Sequence, residues 1–180
     1  DKQGTIWLGT YYGGVNYFNP ETDLFTVYTS NAIRNDCLNY PFVGKMVEDK
    51  DNNIWICTEG GGLNFFDRKT KKFTYFMVDE NSNSIAHNNL KAIAYCPKRD
   101  KLYIGTHTGG LSIYDIKNKR FKNPFFEDPS YAVIAGDRIN YMKIYKNMLI
   151  CTGPKGIFKM DLDTEKVSPL LKNNHFQGNG

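Results

Sequence analysis

The chain has little that would place it in a membrane, a helical bundle or a metal centre. No apolar run approaches the ~20 residues of a membrane-spanning helix. No 3.6-residue periodicity is sustained anywhere, which excludes amphipathic helices as the main architecture. There are four cysteines, and they form no CxxC pair, so no zinc or redox motif is present. The 23 Lys and Arg residues give a net charge of +4. They are dispersed through turn segments without a basic stripe, which argues against nucleic-acid binding by this segment. No glycine-rich phosphate loop opens a helix.

What is present is a repeat. Trp7-Leu8-Gly9-Thr10, Trp55-Ile56-Cys57-Thr58, Tyr103-Ile104-Gly105-Thr106 and Leu149-Ile150-Cys151-Thr152 are copies of one element, and their threonines step by 48, 48 and 46 residues. Four residues after each Thr comes Gly14, Gly62, Gly110 or Gly156. Nine after it comes Asn19, Asp67, Asp115 or Asp161, and fifteen after it Phe25, Phe73, Phe121 or Val167. The second copy is complete. It reads as four short runs rich in aromatic and apolar residues: Phe42–Asp49, Ile54–Thr58, Leu63–Asp67 and Phe73–Val78. Asp51-Asn52-Asn53, Gly60-Gly61-Gly62 and Arg68–Lys72 separate them as turns.

Four short strands per repeat, at a period just above the ~40–45 residues of a propeller blade, predict a β-propeller. The fold class is all-β: a propeller fragment of about four antiparallel four-stranded blades, at approximately 1–30, 38–78, 88–126 and 137–172. Asp1–Thr5 aligns with the turn Lys50–Asn53, so the first blade lacks its innermost strand. The open ends of such a piece are expected to expose sheet faces and to favour self-association. Trp7, Trp55 and Tyr103 are expected to pack between blades. Cys57 and Cys151 fill the slot of Gly9 and Gly105, as small buried residues, and Cys37 and Cys96 fall at strand ends. The repeat sets the four in separate sheets, which disfavours a disulfide.

Propeller function is carried in loops. Two loop sets are expected on one face. The first contains Tyr11-Tyr12-Gly13, Glu59-Gly60-Gly61, His107-Thr108-Gly109 and Gly153-Pro154-Lys155. The second comprises the links between blades, with Arg34, Asn35, Asp36, Asn39, Tyr40, His87, Asn88, Tyr131, Asp137 and Arg138. Aromatic rings stack on sugars and planar polar groups bind their rims. Tyr11, Tyr12, Arg34, Glu59, His87, His107, Tyr131 and Arg138 are therefore the candidate ligand-binding residues. The same residue types also suit a solvated surface. No catalytic residue, metal site or cofactor is expected. The carboxylates Glu59, Asp79, Glu80, Asp128 and Asp137 form no marked pair of the kind glycoside hydrolysis needs. His87, His107 and His175 lack local metal spacing. Asp51-Asn52-Asn53 lacks the downstream Glu of a calcium loop.

The stretch Glu48-Asp49-Lys50-Asp51-Asn52-Asn53-Ile54-Trp55-Ile56-Cys57-Thr58-Glu59-Gly60-Gly61-Gly62-Leu63 resembles the two-component regulator propeller repeat. The first and third copies match through Ile6–Thr10 with Gly13-Gly14-Val15, and Leu102–Thr106 with Gly109-Gly110-Leu111. Asn53 stands for the turn glycine, Cys57 for the strand glycine, and the fourth copy keeps only the skeleton. The resemblance implies the periplasmic sensor region of a hybrid two-component histidine kinase, joined to the membrane through other parts of its chain. It implies an oligosaccharide ligand, further blades of the same chain, a homodimer, and control of genes for polysaccharide use. This segment itself is then no enzyme. A protein-interaction scaffold and a carbohydrate-active enzyme are the alternatives.

Overall fold

The computed structural model describes residues 1–22, 24–31, 34, 36–80, 83–124, 128–134, 136 and 138–170. Asn35, Asp137, His175 and the last two residues of the fourth expected blade lie outside the described residues.

The regular structure of the described residues is almost entirely strand, in four antiparallel meanders laid side by side. β1 (Ile6–Gly9), β2 (Val15–Asn19) and β3 (Leu24–Tyr28) make a three-stranded sheet. β4 (Val43–Glu48), β5 (Ile54–Thr58), β6 (Leu63–Asp67) and β7 (Lys72–Phe76) make the second sheet. β8 (Leu90–Cys96), β9 (Lys101–Thr106), β10 (Leu111–Asp115) and β11 (Arg120–Lys122) make the third. β12 (Tyr141–Tyr145), β13 (Met148–Gly153), β14 (Gly156–Asp161) and β15 (Val167–Pro169) make the fourth. This is an arc of propeller blades, with β4, β8 and β12 packed next to one another on the inside. One element departs from the all-strand expectation. A short 3-10 helix, Pro129–Val133, interrupts the third link, with Asp128 capping it by accepting from Ser130 N–H.

Each repeated residue has a mechanical role. The Thr of each of the first three repeats donates both its N–H and its hydroxyl to the carbonyl of the Gly four residues on. The pairs are Thr10–Gly14, Thr58–Gly62 and Thr106–Gly110, with hydroxyl distances of 3.1, 2.8 and 3.0 Å. The glycine turns the chain at φ +73, +70 and +68°. The Asp nine residues past the Thr closes the outer turn. Asp67 accepts from Lys69 and Thr70 N–H, and Asp161 from Asp163 and Thr164 N–H. Those bonds favour the carboxylate and hold Asp67 and Asp161 below the ordinary Asp range.

Packing between blades follows the same period. Trp7 meets Phe66 of the next blade at 5.8 Å between ring centroids, and Trp55 meets Tyr114 at 5.6 Å. Three apolar clusters result, one at each junction, containing Trp7 with Phe66, Trp55 with Tyr114, and Tyr103 with Met160. Large aromatics supply most of the apolar area that such junctions bury. The small slot is equally constrained. A Cβ at Gly9 would lie 2.7 Å from Val43 Cγ1, and one at Gly105 would lie 2.8 Å from Ile139 Cβ. The cysteines in that slot, Cys57 and Cys151, are buried, as are Cys37 and Cys96, and all four are free thiols. Phe25 in the first sheet is 65 % exposed, whereas its counterpart Phe73 in the second is 6 % exposed.

Candidate functional site on the loop face

The strand-joining turns and the links between blades meet at one end of the arc. Val43 N–H donates to Thr10 O, Glu59 N–H to Phe42 O, His107 N–H to Asn89 O and Ile139 N–H to Thr106 O, at 2.9–3.3 Å. The glycine triplet after Thr58 allows this contact. A Cβ at Gly60 would fall 2.5 Å from Tyr40 Cζ, and one at Gly61 would fall 2.3 Å from Asn39 Oδ1. Gly62 makes the turn at φ +70° and Gly60 is also at positive φ, +154°; Gly60 and Gly61 are small so that the link can lie against the loop. Asn39 fixes that contact by donating to Gly61 O at 2.8 Å and accepting from Asn64 Nδ2 at 2.8 Å.

On this face the structure builds an aromatic cluster between the first two blades. Tyr11 stacks on Phe42 at 4.6 Å, and Tyr12 meets Phe42 edge-on at 4.6 Å. The two tyrosines are 5.0 Å apart at 89°, and Tyr40 lies 5.5 Å from Phe42. Tyr11 and Tyr12 are 65 % and 74 % exposed. Phe42 and Tyr40 are half-buried beneath them. Sequence reasoning assigned Phe42 to a strand and so missed it as part of the site. Its place directly before β4, beside the loop of the preceding blade, is a product of the blade junction.

The next junction gathers three more candidates. Glu59 pairs with Lys91 at 2.9 Å and bridges to Asn89. His87 Nδ1 accepts from Asn89 N–H at 2.8 Å, and its ring lies 6.5 Å from that of His107. Asn89 Oδ1 and His107 Nδ1 are buried polar atoms with no hydrogen-bond partner. Among the described residues, no group of three or more His, Cys, Asp and Glu could hold a metal ion.

The remaining candidates lie elsewhere. Arg34 forms a two-pronged pair with Asp36, and both side chains are exposed. The pair holds the Arg34 guanidinium above its ordinary value and the Asp36 carboxyl below its own. Tyr75 on the outermost strand β7 donates to Arg34 O, so Arg34 sits at the outer rim. Arg138 is exposed ahead of β12. Tyr131 is a correction to the expected surface. It lies on the 3-10 helix, is 1 % exposed, and donates its hydroxyl to Glu165 O at 2.7 Å. Burial of its ring in the junction between the last two blades makes it a core residue and raises its hydroxyl pKa.

Residues 37–60 match the model of the two component regulator propeller family. No curated protein matches the sequence. Among solved structures, the chain resembles the extracellular domain of a protein assigned as a hybrid two component system from B. thetaiotaomicron. The TM-score is 0.78 and the identity 20 %, over 96 % of this chain and 24 % of that one. The extracellular domain of a second such protein from B. thetaiotaomicron gives a TM-score of 0.72 at 21 % identity, over 96 % of this chain and 22 % of that one. Virginiamycin B lyase from Staphylococcus aureus gives 0.68 at 12 % identity, over 93 % and 52 %. The chain thus spans about a quarter of the length of the two extracellular domains. At these identities the likeness is one of fold, which the lyase shares. The segment from Cys37 to Gly60 matches the two component regulator propeller family, and the whole described chain has the propeller fold of those domains.

Proposed function

We propose that this chain is a non-catalytic, ligand-sensing propeller segment from the periplasmic region of a hybrid two-component histidine kinase. Its ligand is an oligosaccharide, and its signal controls genes for polysaccharide use. The likeness to extracellular domains of such systems supports the class and the compartment. No helix among the described residues is long and apolar enough to cross a membrane.

The observation that carries the ligand class is the exposed pair Tyr11 and Tyr12, held by Phe42. Two ring faces at right angles on a fixed base suit the apolar faces of sugar rings. The Glu59 carboxylate at the next junction, paired with Lys91, suits a hydroxyl-bearing rim. Signalling then requires that the sugar bind one arrangement of the sensor better than another, since differential affinity alone shifts a population. A dimeric parent protein provides two such arrangements. Calorimetry of the intact extracytoplasmic region against plant and host oligosaccharides tests this reading. Micromolar binding supports it, and silence across a broad panel favours the scaffold alternative.

A further inference from the structure

The link that enters the third blade is stitched to its surroundings at consecutive residues. Asn88 O accepts from Gly62 N–H and Asn88 Oδ1 from Val78 N–H, each at 2.8 Å. Asn89 O accepts from His107 N–H at 2.9 Å, and Asn89 bridges to Glu59. Asn89 therefore bonds to the second blade and to the third at the loop face. His87 sets the turn that delivers it there: its Nδ1 accepts from Asn89 N–H at 2.8 Å.

Other turns of the chain are closed in the same way by carboxylates and an amide. Asp49, Asp67 and Asp161 accept from the N–H two residues on at 2.9 Å, and Asn19 does so at 3.0 Å. Carboxylates keep those lone pairs down to about pH 4, and an amide keeps them throughout. An imidazole does not. It accepts at Nδ1 only while neutral, with its proton on Nε2, and the imidazolium donates from both nitrogens. Its charge changes between about pH 5 and 8.

The junction also holds the groups that a protonated ring would meet. Asn89 Oδ1 is a buried acceptor without a hydrogen-bond partner, and His107 Nδ1 is buried without one. The His107 ring lies 6.5 Å from that of His87. Glu59 is engaged with Lys91 at 2.9 Å, so this pair adds no net charge. Asp79 and Glu80 lie earlier on the same link as His87.

We propose that His87 is a proton-operated switch at the junction of the second and third blades. Neutral His87 holds Asn89 N–H. A proton taken from solvent at Nδ1 turns that acceptor into a donor, frees Asn89 N–H and directs the ring N–H to Asn89 Oδ1. The residue that bonds both blades is thereby re-aimed, and the loop face changes shape in mild acid. The switch needs no ligand.

The test is amide exchange at Asn89, expressed as protection relative to the free-peptide rate, with the Thr58 amide as reference. Thr58 N–H donates to Gly62 O in a buried turn of the second blade. Between about pH 7.5 and about pH 5, protection at Asn89 is expected to fall about tenfold, the scale of one hydrogen bond, while Thr58 keeps its own. His87→Asn supplies an acceptor that does not titrate, as Asn19 does in the first blade, and should hold Asn89 protected across that range. His107→Gln should leave the fall in place. Constant protection at Asn89 in the native sequence overturns the proposal. So does a fall that persists in His87→Asn or vanishes in His107→Gln, since another group then carries it. A fall of equal size at Thr58 also overturns it, because the whole chain is then opening.

Discussion

Trp55 Nε1–H donates to Asp49 Oδ2 at 2.9 Å while the other oxygen of that carboxylate caps the intervening turn. One side chain thus ties the inner turn of a blade to the aromatic that packs against the next blade. Trp7 and Asp1 repeat the arrangement at 2.6 Å. Asp49 is 3 % exposed and Trp55 is 3 % exposed, so neither group can turn to water instead. Asp49→Ala is expected to lower stability by about 1–3 kcal/mol, the cost of leaving a buried donor unmade. Urea titration followed by Trp fluorescence measures it.

The third blade has lost this tie. Cys96, paired with Lys101 at the end of β8, stands where Asp49 would be, and Tyr103 replaces the Trp. The Tyr103 hydroxyl is buried without a partner, and burial raises its pKa. Tyr103→Phe is therefore expected to be neutral, or stabilising by up to about 1 kcal/mol. Thermal unfolding of this variant beside Asp49→Ala separates a satisfied buried polar group from an orphaned one.

Gly62 turns at φ +70°, and a Cβ there would lie 2.2 Å from Phe76 O, which is backbone and cannot swing aside. Gly62→Ala is expected to cost more than 2 kcal/mol, combining left-handed strain with a rigid clash. Lys71, at φ +60°, holds a left-handed position in an exposed outer turn. Lys71→Gly is expected to change stability by less than about 1 kcal/mol, since glycine adopts that conformation freely. Paired melting curves give the contrast.

Burial pushes the Cys151 thiol from 9.0 up to about 12. Between those values the folded chain keeps a proton that the unfolded chain has released. The stabilisation is thus complete below pH 9 and falls as pH rises towards 12. Cys57 and Tyr131 shift in the same direction, also through burial. The melting temperature is expected to hold steady from pH 7 to about 8.5 and drop steadily above it. Cys151→Ala should reduce that slope. All four thiols should resist a thiolate-trapping reagent at pH 8 until the chain unfolds, because they are buried.

The architecture was legible because a propeller writes its mechanics into a period. Thr, Gly, Asp and Trp recur since each closes a turn or a junction that every blade needs, and a single copy suffices to read the rest. The candidate site was less legible because it forms between repeats. Phe42 belongs to β4's approach, yet its partners Tyr11 and Tyr12 precede it by about 30 residues. Tyr131 misled for the opposite reason. Its linker is polar, but Asp128 and Pro129 nucleate a 3-10 turn that carries the ring inward. Nothing in spacing alone distinguishes a tyrosine that such a turn buries from one left on a loop tip.

The most direct test of the account is the calorimetric binding of oligosaccharides to the intact extracytoplasmic region, repeated with Tyr11→Ala and Tyr12→Ala. Both rings are largely exposed, so the variants should fold with unchanged melting temperatures. The account predicts micromolar binding of at least one sugar, weakened about tenfold or more by each substitution, the scale of one lost stacking contact. Binding that is undiminished in both variants would contradict it and remove this aromatic cluster as the site.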